Sequence, residues 1–167
     1  THGRANVLEQ AADLAGHFVA GQRGRDRAAA RVAEHIEHLG PQHERAKGLV
    51  RQRAANVEVF CLAWSTLMSC LRMATHPRIF AQPLSHADAM RNVEALMALP
   101  HCRVIGEQEG FWATYREITG DVSTRGNLVP DAHLAAVLRQ SGVTTLYTHD
   151  RDFRKFAFLD VRDPLAL

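Results

Sequence analysis

At 167 residues, with 46% hydrophobic and 23% charged side chains, the chain has the size and composition of one globular domain with a substantial core. A formal charge of +2 is too small to argue for nucleic acid by itself, and no apolar run approaches the roughly 18 residues of a membrane span. Cys61, Cys70 and Cys102 are scattered with no CxxC spacing, which argues against a disulfide frame or a zinc site and for buried free thiols in a reducing compartment. With no signal-peptide apolar region at the N-terminus, the protein is expected to be soluble and cytoplasmic, with no membrane partner.

Residues 1–55 read as helical nearly throughout. Val7, Leu8, Ala11, Leu14, Ala15, Phe18 and Val19 recur at three- and four-residue intervals, a one-sided apolar stripe. After a break at Gly21–Gly24, a second helix starts near Asp26 and ends at Gly40-Pro41. His35 and His38 lie three residues apart, with Glu34 and Glu37 interleaved and His43 nearby. Without a third ligand of firm geometry this is weaker evidence for a metal site than for a solvated, charge-laced helix face.

From Val57 onward, strands alternate with helices. Val57–Leu62 is β-rich and reads as a strand, and Trp64–Ala74 as a helix that ends before Pro77. Ser85 is a good N-cap for a helix running to Leu99, with Ala89, Val93, Leu96 and Met97 inward. Cys102–Ile105 is a short strand, Phe111–Ile118 a helix, and Phe158–Val161 a last strand. This alternation predicts an α/β fold, a three-layer α/β/α sandwich with a mainly parallel sheet behind an atypical helical N-terminus.

The stretch from Arg125 to Phe156 carries the chemistry. Pro130 suits the first turn of a helix, and Asp131 then sits at the positive end of the helix dipole. Leu134, Ala135, Val137 and Leu138 form the apolar face, and Ser141-Gly142 stops the helix. The strand Thr144–Tyr147 follows, and Asp150 and Asp152 stand just past its end. In a parallel helix–strand unit this brings Asp131 and Asp150 to one rim, where carboxylates without thiols suit a hard cation such as Mg²⁺ or Mn²⁺. The same spacing also fits a dipole acid and two turn residues, and both alternatives stand at this point. Arg151, Arg154 and Lys155 surround the aspartates, Arg125 opens the stretch, and Arg72 and Arg78 lie in a second basic stretch. These residues could hold a phosphate backbone or simply face solvent.

Three separated pieces resemble one family, the PIN-domain toxins of the VapC type. Trp64–Phe80, reading WSTLMSCLRMATHPRIF, is similar to the helix and loop after that family's second strand. Gly126–Ala136, reading GNLVPDAHLAA, is similar to its third motif, and Thr148–Phe153 (THDRDF) with Arg162–Leu165 to its fourth motif and C-terminus. The resemblance covers residues 41–167, which divides the chain into an atypical segment at 1–40 and a PIN-like domain at 41–167. It implies a Mg²⁺- or Mn²⁺-dependent endoribonuclease, dimeric, held inactive by a cognate antitoxin and acting on RNA. Asp131 would be the third acid of the metal cluster, Asp150 the fourth and Asp152 a further supporting acid, with Thr148 positioning the site. Arg78, Arg125, Arg151, Arg154 and Lys155 would be candidates for binding the RNA.

Two departures accompany the resemblance. The strand bearing the family's first acid is not found in residues 21–40, and the position of the second acid falls near Ser69. An acid such as Asp26 or Glu34 could fill the first place, His17–Ala20 could supply the strand, or an altered start could leave a degenerate remnant. The readings that follow are an active toxin ribonuclease, a catalytically inactive module that binds antitoxin or RNA, and a metal-dependent phosphatase or DNA flap nuclease.

Overall fold

The computed structural model describes residues 58–80 and 82–163, with Gly48 and Gln52 before them. The helices expected over 1–55, the His35–His38 cluster and the 1–40 segment therefore lie outside the described residues, apart from those two positions.

Strand β1 (Phe60–Ala63) runs straight into helix α1 (Trp64–Ala74), followed by α2 (His86–Met97) and β2 (Cys102–Ile105). Helix α1 closes at Thr75, whose N–H and hydroxyl both reach the Leu71 carbonyl, at 3.2 and 2.8 Å. Helix α2 begins where Ser85 Oγ accepts the Asp88 N–H at 3.1 Å, satisfying one of the orphan donors of a first turn. Leu67, Cys70 and Ala74 of α1 interlock with Ala89 and Val93 of α2, so the two crossover helices share one apolar seam. β1 and β2 pair in parallel, Phe60 opposite Cys102 and Ala63 opposite Ile105, a pairing that requires such a crossover.

Helix α3 (Phe111–Thr119) packs along α4 (Leu128–Gln140), and β3 (Thr145–Tyr147), a 3-10 turn (Arg151–Lys155) and β4 (Asp160–Arg162) complete the described chain. Gly126, at φ +56°, turns the chain into α4, and Pro130 lies in the first turn, where its missing N–H has no intrahelical partner to lose. At the other end the Val143 N–H reaches the Leu138 carbonyl (2.9 Å) and the Gly142 N–H that of Arg139 (3.2 Å), a Schellman closure with Gly142 at φ +68°. Ala132, Ala135 and Ala136 are fully buried, and their small side chains bring α4 close to its neighbours. Leu128, Ala132, Ala135 and Leu138 form a core with Phe153, Phe156 and Leu159, against which Ile105, Leu146 and Val161 also pack.

Every described strand pairing is parallel, as the alternation predicts, and the architecture is α/β. Among the described residues the four strands form two separate pairs, β1–β2 and β3–β4, that meet through the α4 core. The last strand begins at Asp160, two residues later than its apolar content indicates. Leu159 donates to the Phe156 carbonyl (2.9 Å) and buries its side chain in the core, so the turn ends only there.

Candidate active site

Asp131 lies in the first turn of α4 and is only 8% exposed, flanked in sequence by the buried Ala132. Burying a carboxylate is costly unless it is compensated, and the first-turn N–H dipoles lower that cost. The same end of α4 faces the 3-10 turn, because Leu128 and Ala132 share their core with Phe153 and Phe156.

Thr148 and Asp150 are set by a chain of short-range hydrogen bonds. The Thr148 N–H donates to the Arg162 carbonyl at 3.0 Å, extending the β3–β4 pairing by one bond, and its buried hydroxyl accepts the Asp150 N–H at 3.1 Å. Asp150 Oδ1 in turn accepts the Asp152 N–H at 2.9 Å and caps the 3-10 turn. Asp150 Oδ2 has no hydrogen-bond partner among the described residues, so one carboxylate oxygen is fixed and the other is available. Asp152 Oδ1 lies 2.7 Å from Lys155 Nζ, with both side chains half exposed.

A cavity of about 590 Å³ opens beside this turn, lined by Asp121, Arg125 and Asn127 from the segment before α4 and by Asp152 and Lys155 from the turn itself. The structure thus joins Arg125 and Lys155 of the predicted basic set. Arg151 and Arg154 are exposed on the 3-10 turn outside the cavity lining, and Arg78 stands on the turn after α1, its N–H donating to His76 Nδ1 at 3.1 Å. Among the described residues, no three His, Cys, Asp or Glu side chains converge on a common metal position. Desolvation pushes the Cys70 thiol up to about 12 and that of Cys102 up to about 11, and it raises Cys61 as well, so the thiols stay protonated and are poor ligands and nucleophiles.

Residues 32–159 match the PIN domain, 128 of the chain's 167 positions. The chain belongs to the PIN-domain family. Ribonuclease VapC48 of Mycobacterium tuberculosis is 43% identical to it over 136 residues, a stretch covering 81% of this chain and 94% of that protein. VapC ribonuclease Mb2897 of Mycobacterium bovis is 36% identical over 124 residues, covering 74% of this chain and 84% of its own length. Ribonuclease VapC31 of Mycobacterium tuberculosis is 36% identical over 107 residues, or 62% and 71%.

Two pairings in this PIN domain escape sequence reasoning. His149 Nδ1 lies 2.7 Å from Asp163 Oδ2, tying the end of β3, next to Asp150, to the residue after β4. His133 Nε2 lies 2.6 Å from Glu107 Oε1, with the Phe111 ring 5.1 Å from the imidazole, and this joins α4 to the loop after β2. A backbone hydrogen bond to Glu107, followed by the His133 contact, lowers the Glu107 carboxyl below its usual range. The partners are 14 and 26 residues apart, so no local motif announces either pair. Ser69, the position of the family's second acid, is half-buried on α1 and supplies no carboxylate.

Proposed function

We propose that this chain is a Mg²⁺- or Mn²⁺-dependent endoribonuclease, the toxin of a toxin–antitoxin pair, which cleaves RNA phosphodiesters. The observation that carries this reading is the 43% identity with Ribonuclease VapC48 across 94% of that protein. The chemistry of the site supports it. Asp131 in the first turn of α4 and Asp150 at the cap of the 3-10 turn are all-oxygen donors, and a hard divalent ion needs only one or two carboxylates when water and phosphate complete its shell.

In this reading Asp131 and Asp150 would hold the ion, with Asp152 in support. When bound, the ion lowers the pKa of a coordinated water and offsets charge that grows on the phosphate oxygens. Thr148 holds the Asp150 backbone, and through it the carboxylate. Arg125, Arg151, Arg154, Lys155 and, on its separate turn, Arg78 attract the RNA backbone. The described strands and helices form part of a three-layer sandwich, the protein acts as a cytoplasmic homodimer, and a cognate antitoxin covers the site. No helix among the described residues is long and apolar enough to cross a membrane.

A second reading, a binding module without turnover, is favoured by Ser69 and by the absence of a three-carboxylate set among the described residues. One assay separates the two. Purified full-length chain is incubated with single-stranded RNA and Mg²⁺ or Mn²⁺, alongside Asp131→Asn and Asp150→Asn. The enzyme reading requires cleavage by the wild type, abolition by EDTA and loss of about 100-fold or more in each variant. RNA or antitoxin binding with no cleavage at any metal concentration establishes the binding module instead.

A further inference from the structure

The cavity beside Asp152 has an unusual lining for a surface depression. Its lining includes the buried Leu128 of the α4 core cluster and the partly buried Val122 that packs against it. Its walls hold two cations, but only Lys155 is paired, to Asp152 at 2.7 Å. Arg125 has no ion-pair partner among the described residues, although Asp121 and Asp152 line the same space. Asn127 occupies the N-cap position of α4, yet its side chain makes no capping hydrogen bond. Its backbone is helical (φ −66°, ψ −19°), not in the extended form that aims a cap side chain at the first turn. An amide with two donors and an acceptor therefore stands on the cavity wall, uncommitted to the helix it precedes.

A guanidinium for a phosphate, apolar side chains for a flat aromatic face and an amide for a hydrogen-bonding edge are the three complements of an unpaired nucleotide. A volume of about 590 Å³ lies inside the range of about 300–1,000 Å³ common for ligand pockets. We propose that this cavity is a ribonucleotide subsite that seats one unpaired residue of the RNA next to the scissile phosphate. Arg125 binds its phosphate, Val122 and Leu128 lie against the base, and Asn127 reads the base edge and sets specificity. The inference rests on the ribonuclease reading and deepens it, because the wall formed by Asp152 and Lys155 belongs to the turn that Asp150 caps.

The test is read in EDTA, so that binding is measured whether or not the chain cleaves. Full-length protein is titrated into fluorescein-labelled single-stranded octamers of A, C or U, and Kd is followed by anisotropy across a salt series. Wild type is expected to prefer one base. Arg125→Ala should weaken all three octamers about five- to tenfold and flatten the log Kd against log salt slope by about 0.7, the loss of one phosphate contact. Asn127→Ala should bring the ratio of the three dissociation constants towards one while leaving the weakest octamer unchanged. Arg116→Ala, a charge-matched exposed change on α3 outside the cavity, should keep both the slope and the preference. Thermal melts confirm that each variant is folded.

Wild-type affinities retained in Arg125→Ala and Asn127→Ala overturn the subsite. So does a wild type that binds none of the octamers, or an Arg116→Ala that behaves as Arg125→Ala does. Failure of the ribonuclease reading shows separately, as the absence of metal-dependent cleavage by the wild type.

Discussion

Thr148→Val tests whether Asp150 is held by its neighbour's hydroxyl. The change preserves shape and removes one oxygen from a residue that is 7% exposed. That oxygen accepts the Asp150 N–H at 3.1 Å, and Asp150 then caps the 3-10 turn through Oδ1 and the Asp152 N–H at 2.9 Å. Losing an acceptor for a buried donor costs about 1–3 kcal/mol, and because Asp150 is only half-buried the lower part of that range, about 1–2 kcal/mol, applies. For a chain of this length that is a fall in Tm of roughly 2–8 °C, measurable by calorimetry or circular dichroism. The functional effect should exceed the stability effect. Outer partners of metal-binding carboxylates are typically worth about 10- to 100-fold, so RNA cleavage should fall by that factor at a temperature where the variant is fully folded. Thr148→Ser keeps the acceptor and should retain most of the activity. A Thr148→Val protein that cleaves at the wild-type rate, or a Thr148→Ser protein as impaired as the valine variant, would refute the reasoning.

Three further variants probe the frame around the site. Gly142→Ala forces a Cβ into the left-handed region at φ +68°, and because nothing lies within 4 Å of that atom the cost is purely conformational, about 1–2 kcal/mol. Gly120→Ala, at φ −57°, should instead stabilise by about 0.4–1 kcal/mol, and chemical denaturation of both variants checks the contrast. The lowered Glu107 carboxyl has its folded pKa below the unfolded value of 4.5. Its stabilising contribution is thus complete above that pH and lost as pH falls through the folded pKa. Glu107→Gln should flatten the acid limb of the stability curve below about pH 4.5 and leave the neutral region little changed, since the carboxylate is exposed and well screened. An acid limb identical to that of the wild type would show that the Glu107 carboxyl, held by its backbone hydrogen bond and by His133, carries no linkage.

What could be read from residues alone was local. Trp64–Ala74 and Cys102–Ile105 are found with the expected bounds, and Ser85 caps α2, because caps, breakers and periodicity act within a few residues. Ser141-Gly142 ends α4 for the same reason, glycine being the residue that enters φ +68° without strain. Asp131 and Asp150 stand where the order of elements placed them, in the first turn of a helix and just past a strand, whereas Thr148 was singled out only through the family resemblance. The separation of the strands into two pairs was not legible, since hydrogen bonds between strands depend on how distant elements pack. Nor was the 3-10 turn over Arg151–Lys155, which exists because Asp150 caps it and Phe153 and Phe156 anchor it in the α4 core. The same holds for the pairs His149–Asp163 and His133–Glu107 and for the cavity that joins Arg125 and Asn127 to Lys155. Sequence by itself determined which residues carry the charge and where elements such as α1 and β2 begin and end. Only the tertiary structure decided which of them share one space, because that depends on burying α4 against the 3-10 turn.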